Sequence, residues 1–292
     1  LSSGHGSNIL ASVGTTKTKD TIGHDGPKRL EHRYSARVRV LDAGSLHGRP
    51  YLDGSNMILY VNGDSHSAGA ELAGPWCFAE DDSRYRAQGR EPHPLNLKLS
   101  YGQILADKMN CKLHCDAESA SSNHRIIRTT WHTLLKEYVP DFVVIGWSTW
   151  ERKEFVDNET GRVWQVNAGG IGDDWPDWLK AEYPRFIEEL DWGNEMRHAH
   201  AKIHQFHLQL QQSKIKHLFF NTYIFFDPWI VSTMSWNDCY LDPYNESGTY
   251  YAWCRAQGFE PVSKNSYHFG ADAHRAWAEH LYTKIVQLCL TQ

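Results

Sequence analysis

"ILYVNGDSHSAG", residues 58–69, runs from an apolar segment straight into Gly-Asp-Ser and a small, polar tail. The apolar run Met57–Val61 predicts a short buried strand, and the segment behind it favours a turn into a helix. Ser65 would then lie at the carboxyl end of the strand, with its N–H at a helix N-terminus, where negative charge is favoured. A nucleophile and an ordinary capping residue both fit this junction, so the rest of the chain has to distinguish them.

Strand-like and helical segments alternate from Met57 to the end of the chain. Further strands are predicted in "CKLHCDAESA" (111–120), "DFVVIGWS" (141–148), "HLFFNTYIFF" (217–226) and, as a short fifth, "GFEPVSK" (258–264). Helices are predicted within 99–110, 124–139, 182–212 and 270–290, the last with Trp277, Leu281, Ile285 and Leu288 on one face. This order predicts an α/β fold, a mostly parallel sheet of about five strands between two helical layers. Ligands of such sheets gather at the carboxyl ends of the strands.

The composition is that of a globular protein and argues against several classes of partner. The 292 residues carry a net charge of −5, which gives no basic field for nucleic acid. No apolar stretch approaches the roughly 20 residues of a membrane span, and no signal-peptide pattern is visible. The six cysteines do not form a disulfide framework, so we expect free thiols and a soluble protein of a reducing compartment, cytoplasmic or virion-associated.

Three segments lie outside the regular alternation. Residues 1 to about 30 are rich in Gly, Ser, Thr, Lys and Asp, and "ARVRVLD" (Ala36–Asp42) could add an edge strand. We interpret residues 1–56 as an extended or partly disordered arm, through which a protein partner or a second copy could bind. Phe78–Pro94 and Phe155–Trp178 read as insertions, the second a candidate lid. Half of the twelve tryptophans lie in or beside this second insertion, at positions 147, 150, 164, 175, 178 and 192, and predict an aromatic wall around a site.

The motifs from Met57 to the C-terminus resemble those of the SGNH hydrolases, the GDSL esterase and lipase superfamily. "NGDSHSAG" matches the block that carries the nucleophile, at Ser65, and "NSYH" before the last helix matches Asp-x-x-His, at His268. "ESASSNHRIIRTT" and "GWS" match the blocks that supply oxyanion donors. "SSNHRIIRT" and "GWSTWER" are also similar to SGNH-like proteins of bacteriophages and marine bacteria. The resemblance implies a flavodoxin-like three-layer domain over residues 57–292, with an insertion at about 155–181.

The chain departs from the family pattern at three positions. Ala120 or Ser121 stands where the family has the oxyanion Gly, and either backbone N–H could still donate. Ser148 replaces the family's Asn, and its hydroxyl is a shorter donor. Asn265 replaces the Asp that orients the histidine, so Asn265 or a backbone carbonyl would hold His268 instead.

Other side chains are weaker candidates. We expect substrate contacts from Trp147, Trp150, Arg152 and Asn123, although an ion pair is the more common role of an arginine such as Arg152. His66 and His274 are alternatives to His268 as the base. His200, His204 and His207 share a helix face and could bind zinc, but the fourth ligand is missing and no metal is predicted.

The sequence therefore predicts a serine esterase that hydrolyses short-chain or carbohydrate O-acyl esters. Ser65 would attack, His268 would act as base and then acid, and no cofactor would be needed. Two alternatives use the same fold. One is a catalytically weak or inactive structural or carbohydrate-binding protein, such as part of a phage particle. The other is a sugar O-acyltransferase.

Overall fold

The computed structural model describes residues 57–73, 92–136, 138–173, 175–230 and 234–291. The chain divides into two units, 1–42 and 43–292, and every described residue belongs to the second. The strand predicted at Ala36–Asp42 and most of the insertion predicted at Phe78–Pro94 lie outside the described residues.

A parallel sheet carries the described fold. Its strands are β1 (Ile58–Asn62), β2 (Lys112–Cys115), β3 (Phe142–Trp147) and β6 (His217–Asn221), in the order β2-β1-β3-β6. All three pairings are parallel, as the alternation of strands and helices predicts. β1, β3 and β6 are almost wholly buried because helices cover both of their faces.

Helices form a layer on each side of this sheet. The described helices are α1 (Ser65–Ala68), α2 (Pro94–Leu99), α3 (Tyr101–Lys108), α4 (Asn123–Lys136), α5 (Asp177–Glu188), α6 (Trp192–Gln212), α7 (Tyr250–Ala256) and α8 (Ala271–Thr291). Alternate residues of β1, such as Leu59 and Val61, pack with α3, α7 and α8. Tyr60, from the opposite face of β1, packs with α4 and α6. The result is the predicted three-layer α/β/α architecture. The predicted apolar face of α8, Trp277 to Leu288, is buried in the same core cluster as Leu59 and Val61.

The insertion after β3 has secondary structure of its own. β4 (Lys153–Val156) and β5 (Val163–Val166) form an antiparallel hairpin, and α5 follows it. A separate apolar cluster joins the hairpin to the helix, with Trp164, Trp175 and Phe186 among its buried members. The segment predicted to be a long loop is therefore largely a small packed unit. None of the described helices is long and apolar enough to cross a lipid bilayer.

One predicted element is wrong: the segment 258–264 forms no strand, and only an isolated antiparallel bridge joins Pro261 to Phe269. The long helix predicted within 182–212 is confirmed as α6, which Asp191 caps by accepting a hydrogen bond from Asn194 N at 3.0 Å. Residues 182–188 belong to the preceding helix, α5.

Candidate active site

The turn after β1 presents Ser65 at the carboxyl edge of the sheet. Asp64 caps α1 by accepting a hydrogen bond from His66 N at 3.1 Å, so Ser65 is the first residue of the short helix. Gly63 permits the tight approach that precedes it, since a Cβ there would lie 2.1 Å from Ser67 Oγ and its φ is +155°. The sharp turn fixes both the Ser65 hydroxyl and its backbone N–H at one edge of the sheet.

Ser65 and His268 meet across the domain. His268 Nε2 lies 2.8 Å from Ser65 Oγ, although the two residues are 203 positions apart. Both side chains are almost completely buried. His268 immediately precedes the loop into α8, as expected from the sequence. The alternative bases lie behind this pair: the His66 ring is 4.9 Å from that of His268, and His274 Nδ1 accepts from Tyr101 N at 3.0 Å.

Glu71, rather than Asn265, holds the histidine. His268 Nδ1 lies 2.7 Å from Glu71 Oε2, and the hydroxyl of Ser266 also donates to that oxygen. A carboxylate only accepts hydrogen bonds, so Nδ1 carries the hydrogen and Nε2 presents its lone pair to Ser65. Asn265 is exposed, and the role expected of it falls to a residue from the loop after α1.

The electrostatics of the pair keep Glu71 ionised. Burial alone would raise the pKa of this carboxyl group, but hydrogen bonds from His268 and Ser266 outweigh it, so the pKa lies below its ordinary 4.5. In contrast, burial above all, then the charges of His268 and Arg152, place the pKa of His66 well below 6.5. A neutral His66 thus lies beside the histidine that is paired with a carboxylate.

Of the three positions considered as oxyanion donors beyond Ser65, one lines the pocket. Ala120 does so and has a left-handed backbone, φ +62°, at the position where the family has Gly. The N–H of Ser121 donates to Glu118 O at 3.1 Å, so it serves the turn. Ser148 is buried outside the pocket lining, and its hydroxyl accepts from Arg152 Nη1 at 2.8 Å.

Three of the four expected substrate contacts lie in the protein interior. Trp147 packs edge-to-face against Phe219 in the layer beneath the sheet, and Trp150 stacks on Phe226. Asn123 brackets the backbone of Ser148, accepting from its N–H at 2.8 Å and donating to its carbonyl at 3.0 Å. These side chains hold β3 and its following turn in place, whereas Arg152 does line the pocket.

The pocket over Ser65 has a volume of about 710 Å³. Its aromatic lining comes from the insertion (Trp175), from the first residue of α6 (Trp192) and from loops (Tyr223 and Tyr267), and the last three of these are 41–56% exposed. Gln165 and Asn167 from the hairpin add amide groups. Trp175 and Trp192 belong to the aromatic wall that the sequence predicts. A spacing argument could not find Glu71, Tyr223 or Tyr267, because loops distant in sequence bring them together. The sequence signal for Glu71 was its position just after the Gly-Asp-Ser block, two residues beyond Gly69.

The three helix-face histidines do not share one ligand centre. His200 Nε2 bonds the Tyr244 hydroxyl at 2.9 Å, and His204 Nε2 donates to Ser235 O at 3.2 Å. His207 instead faces His217 and Cys239, with ligand atoms within 4.8 Å of one another, the one set among the described residues that could hold a metal ion. However, His207 Nδ1 and His217 Nε2 already share a hydrogen bond of 2.8 Å, which an ion would have to displace. Cys239 and the other described thiols, Cys111, Cys115 and Cys254, are unpaired, as expected.

Comparison with known proteins finds similar solved structures but no matching family model and no curated protein that matches. One is a carbohydrate esterase family 2 enzyme with a carbohydrate-binding domain from Corynascus thermopiles (Myceliophthora fergusii), 15% identical over 82% of this chain and 68% of that one, at a TM-score of 0.39. Another is a putative lipolytic protein of the G-D-S-L family from Desulfitobacterium hafniense, 10% identical over 78% and 99%, at 0.41. A third is phospholipase A1 from Streptomyces albidoflavus, 12% identical over 78% and 99%, at 0.38.

Proposed function

We propose that this protein is a serine esterase of the SGNH type, with Ser65 as nucleophile, His268 as base and Glu71 as the orienting acid. The observation that carries the proposal is the continuous chain of hydrogen bonds from Glu71 through His268 to Ser65, which opens into the pocket. An inactive binding module gives no reason for a buried carboxylate, imidazole and hydroxyl to be aligned in the order that general-base catalysis requires.

The reaction follows from the position of each proton. His268 Nε2 takes the Ser65 proton while Oγ bonds the ester carbonyl carbon, and the π electrons of the carbonyl move onto its oxygen. The N–H groups of Ser65 and Ala120 donate to that oxyanion. When the tetrahedral intermediate collapses, the alcohol leaves with the proton from His268. Water then repeats the attack on the acyl-enzyme, which releases the acid and restores Ser65.

The substrate class that we propose is a short acyl group on a polar, sugar-like alcohol. The aromatic rings of Trp192, Tyr223 and Tyr267 offer flat faces to a ring-shaped alcohol. Gln165 and Asn167 add hydrogen-bonding groups, a lining that suits hydroxyl groups better than a long alkyl chain. Transfer of the acyl group to a sugar instead of water would use the same residues.

The test is hydrolysis of p-nitrophenyl acetate and butyrate by the wild type and by Ser65→Ala. We expect kcat/KM to fall by at least about 10³-fold in the variant, with acetate preferred over butyrate in the wild type. A fluorophosphonate should label Ser65, identified by peptide mass spectrometry. Ser213→Ala, at the half-buried C-terminal cap of α6 and outside the pocket lining, is the matched control and should hydrolyse at the wild-type rate.

Two results would count against the proposal. A wild type that hydrolyses neither ester and takes up no label would indicate a binding protein. A wild type that releases less free acid per p-nitrophenol when a sugar alcohol is added, while acylated sugar accumulates, would indicate an acyltransferase.

A further inference from the structure

We infer that Arg152 is a catalytic residue whose guanidinium group stabilises the oxyanion, in place of the Asn side chain expected at the position of Ser148. The inference rests on the proposed function, since it assigns a donor to the same reaction. Three observations carry it: where the Ser148 hydroxyl lies, what holds Arg152, and the charges of the pocket.

The first observation concerns the reach of Ser148. Its backbone is fixed on both sides by Asn123, so the side chain has a set direction. The hydroxyl is completely buried, does not line the pocket, and accepts a hydrogen bond from Arg152 Nη1 at 2.8 Å. The shorter side chain therefore does not present a donor to substrate. It positions a longer side chain that lines the pocket together with Ser65 and Ala120.

The second observation is that Arg152 is held beside the nucleophile. Its Nη1 lies 3.4 Å from Oδ2 of Asp64, the residue directly before Ser65. Thr222 Oγ1 donates to the same oxygen at 3.1 Å, and Asp64 also caps α1. The Asp64 carboxylate is therefore held in a fixed position and in turn positions the Arg152 guanidinium group. These contacts to Asp64 and Ser148 occupy Nη1, whereas a guanidinium group has five N–H donors. Donors remain for a substrate oxygen.

The third observation concerns the charge of the pocket. Asp64, Glu71 and Glu151 supply three carboxylates to its lining, against Arg152 as the one lysine or arginine among the described lining residues. Such a pocket disfavours an anionic substrate, so a carboxylate clamp is the weaker interpretation of Arg152. Negative charge that appears only in the transition state, on the carbonyl oxygen, is the charge left for Arg152 to stabilise.

The experiment compares Arg152→Ala, Arg152→Lys and the wild type on p-nitrophenyl acetate, an uncharged ester. Removing one oxyanion donor lowers the rate about 10²–10³-fold in other serine hydrolases, so we expect a loss of that size in kcat for Arg152→Ala, with a smaller change in KM. Arg152→Lys keeps a charge near Asp64 and should lose less. Arg185→Gln, an exposed arginine of α5, is the matched control and should retain the wild-type rate.

Two readouts separate catalysis from a purely structural role. Guanidinium ion added well below denaturing concentration should restore turnover to Arg152→Ala in a saturable way, and should not restore it to Ser65→Ala. The double variant Ser148→Asn/Arg152→Ala, which places the family's amide directly after β3, should exceed Arg152→Ala in kcat. This variant keeps the inference testable if Arg152→Ala alone is poorly folded by circular dichroism.

The possible failures are distinguishable. If the fluorophosphonate does not label Ser65 in the wild type, the proposed function fails and the inference with it. If Ser65 is labelled, and folded Arg152→Ala hydrolyses the neutral ester at the wild-type rate, only the inference is overturned. A loss confined to p-nitrophenyl hemisuccinate would also overturn it, since Arg152 would then be a clamp for a substrate carboxylate.

Discussion

Glu71 reaches His268 from the loop directly after α1, the short helix that begins at Ser65, so one short segment supplies two of the three groups of the proposed triad. The cost is local: Glu71 itself has a left-handed backbone, φ +65°, which a residue with a Cβ rarely adopts. The hydrogen bonds from His268 and Ser266 hold it there. Strain of this kind is stored at functional sites, where the surrounding contacts compensate for it.

Replacing Glu71 by Gln should test its role directly. The amide keeps the size of the side chain but removes the charge that stabilises the imidazolium, and it can donate a hydrogen to Nδ1 and so favour the wrong tautomer. We expect kcat to fall by about 10²–10⁴-fold, since the corresponding change in a serine protease costs about 10⁴. The measurement is steady-state hydrolysis of p-nitrophenyl acetate. Asn265→Ala should change kcat by much less, and a larger effect at Asn265 than at Glu71 would reverse the assignment.

Ala120 offers a second prediction at the level of a single residue. Its φ of +62° is unfavourable for Ala and favourable for Gly, so Ala120→Gly should raise the free energy of unfolding by about 0.5–1 kcal/mol. The backbone N–H is unchanged, so the proposed oxyanion donor is kept. Urea denaturation measures the change. The control Ala201→Gly, on the exposed surface of α6, should lower stability by about the same amount, and a loss in both variants would contradict the conformational argument.

At the level of elements, the hairpin β4–β5 is tied to α4 by one carboxylate. Glu154 accepts hydrogen bonds from Arg128 Nη2 at 2.6 Å and from Gln165 Nε2 at 2.9 Å, and it contacts His124 at 2.8 Å. Gln165 in turn accepts from Ser122 N at 3.0 Å. Because Gln165 also lines the pocket, the same network that attaches the insertion also places part of the substrate-binding surface.

Glu154→Gln should loosen this attachment. Burial would raise the pKa of Glu154, but hydrogen bonds from His124, Arg128 and Gln165 lower it to about 2. The group is therefore ionised, and its negative charge strengthens these hydrogen bonds. We expect the variant to lose about 1–3 kcal/mol of unfolding free energy and to exchange its β4–β5 amide hydrogens faster. Since the folded pKa is depressed, this contribution is present above pH 4.5 and is lost as the pH falls toward 2. Glu159→Gln, in the exposed turn of the hairpin, should stay within about 0.5 kcal/mol of the wild type.

At the level of the whole molecule, local patterns predicted the layers but not the loops that meet over the site. The alternation of strands and helices was enough for a parallel sheet between two helical layers, because each strand and helix carries its own periodicity. Ser65 and His268 follow and precede regular elements, so they could be singled out. Glu71 could not, since its partner lies 197 residues away and the contact depends on how two loops meet. Trp147 was misplaced because β3 is buried on both faces, and Trp150 because the turn after β3 packs it against Phe226. A buried ring has the same sequence signal as a substrate-binding one.

Buried histidines make the whole fold sensitive to mild acid. His66, His200, His207, His217 and His274 are nearly inaccessible in the protein interior. Burial is the main cause that lowers their pKa values, to about 4 for His200 and His217, about 3 for His207 and His274, and well below 6.5 for His66. The fold therefore holds these rings neutral at a pH where the unfolded chain, with pKa values near 6.5, already binds protons.

Stability should consequently fall as the pH drops below about 6.5, before any carboxylate contributes. Between the unfolded and folded pKa values the unfolded state binds more protons, so each fully titrating histidine lowers the unfolding free energy by about 1.4 kcal/mol per pH unit. Urea denaturation at pH 7.5, 6.5, 5.5 and 4.5, about one unit apart on both sides of the ordinary histidine pKa, would measure the slope of the unfolding free energy against pH. In His274→Asn, the Asn Oδ1 can accept the same hydrogen bond from Tyr101 N. This variant should therefore reduce the slope by the contribution of one titrating histidine, about 1.4 kcal/mol per pH unit. A stability unchanged from pH 7.5 to 5.5 would mean that these rings take up protons in the folded state, and that the core is less closed than their burial indicates.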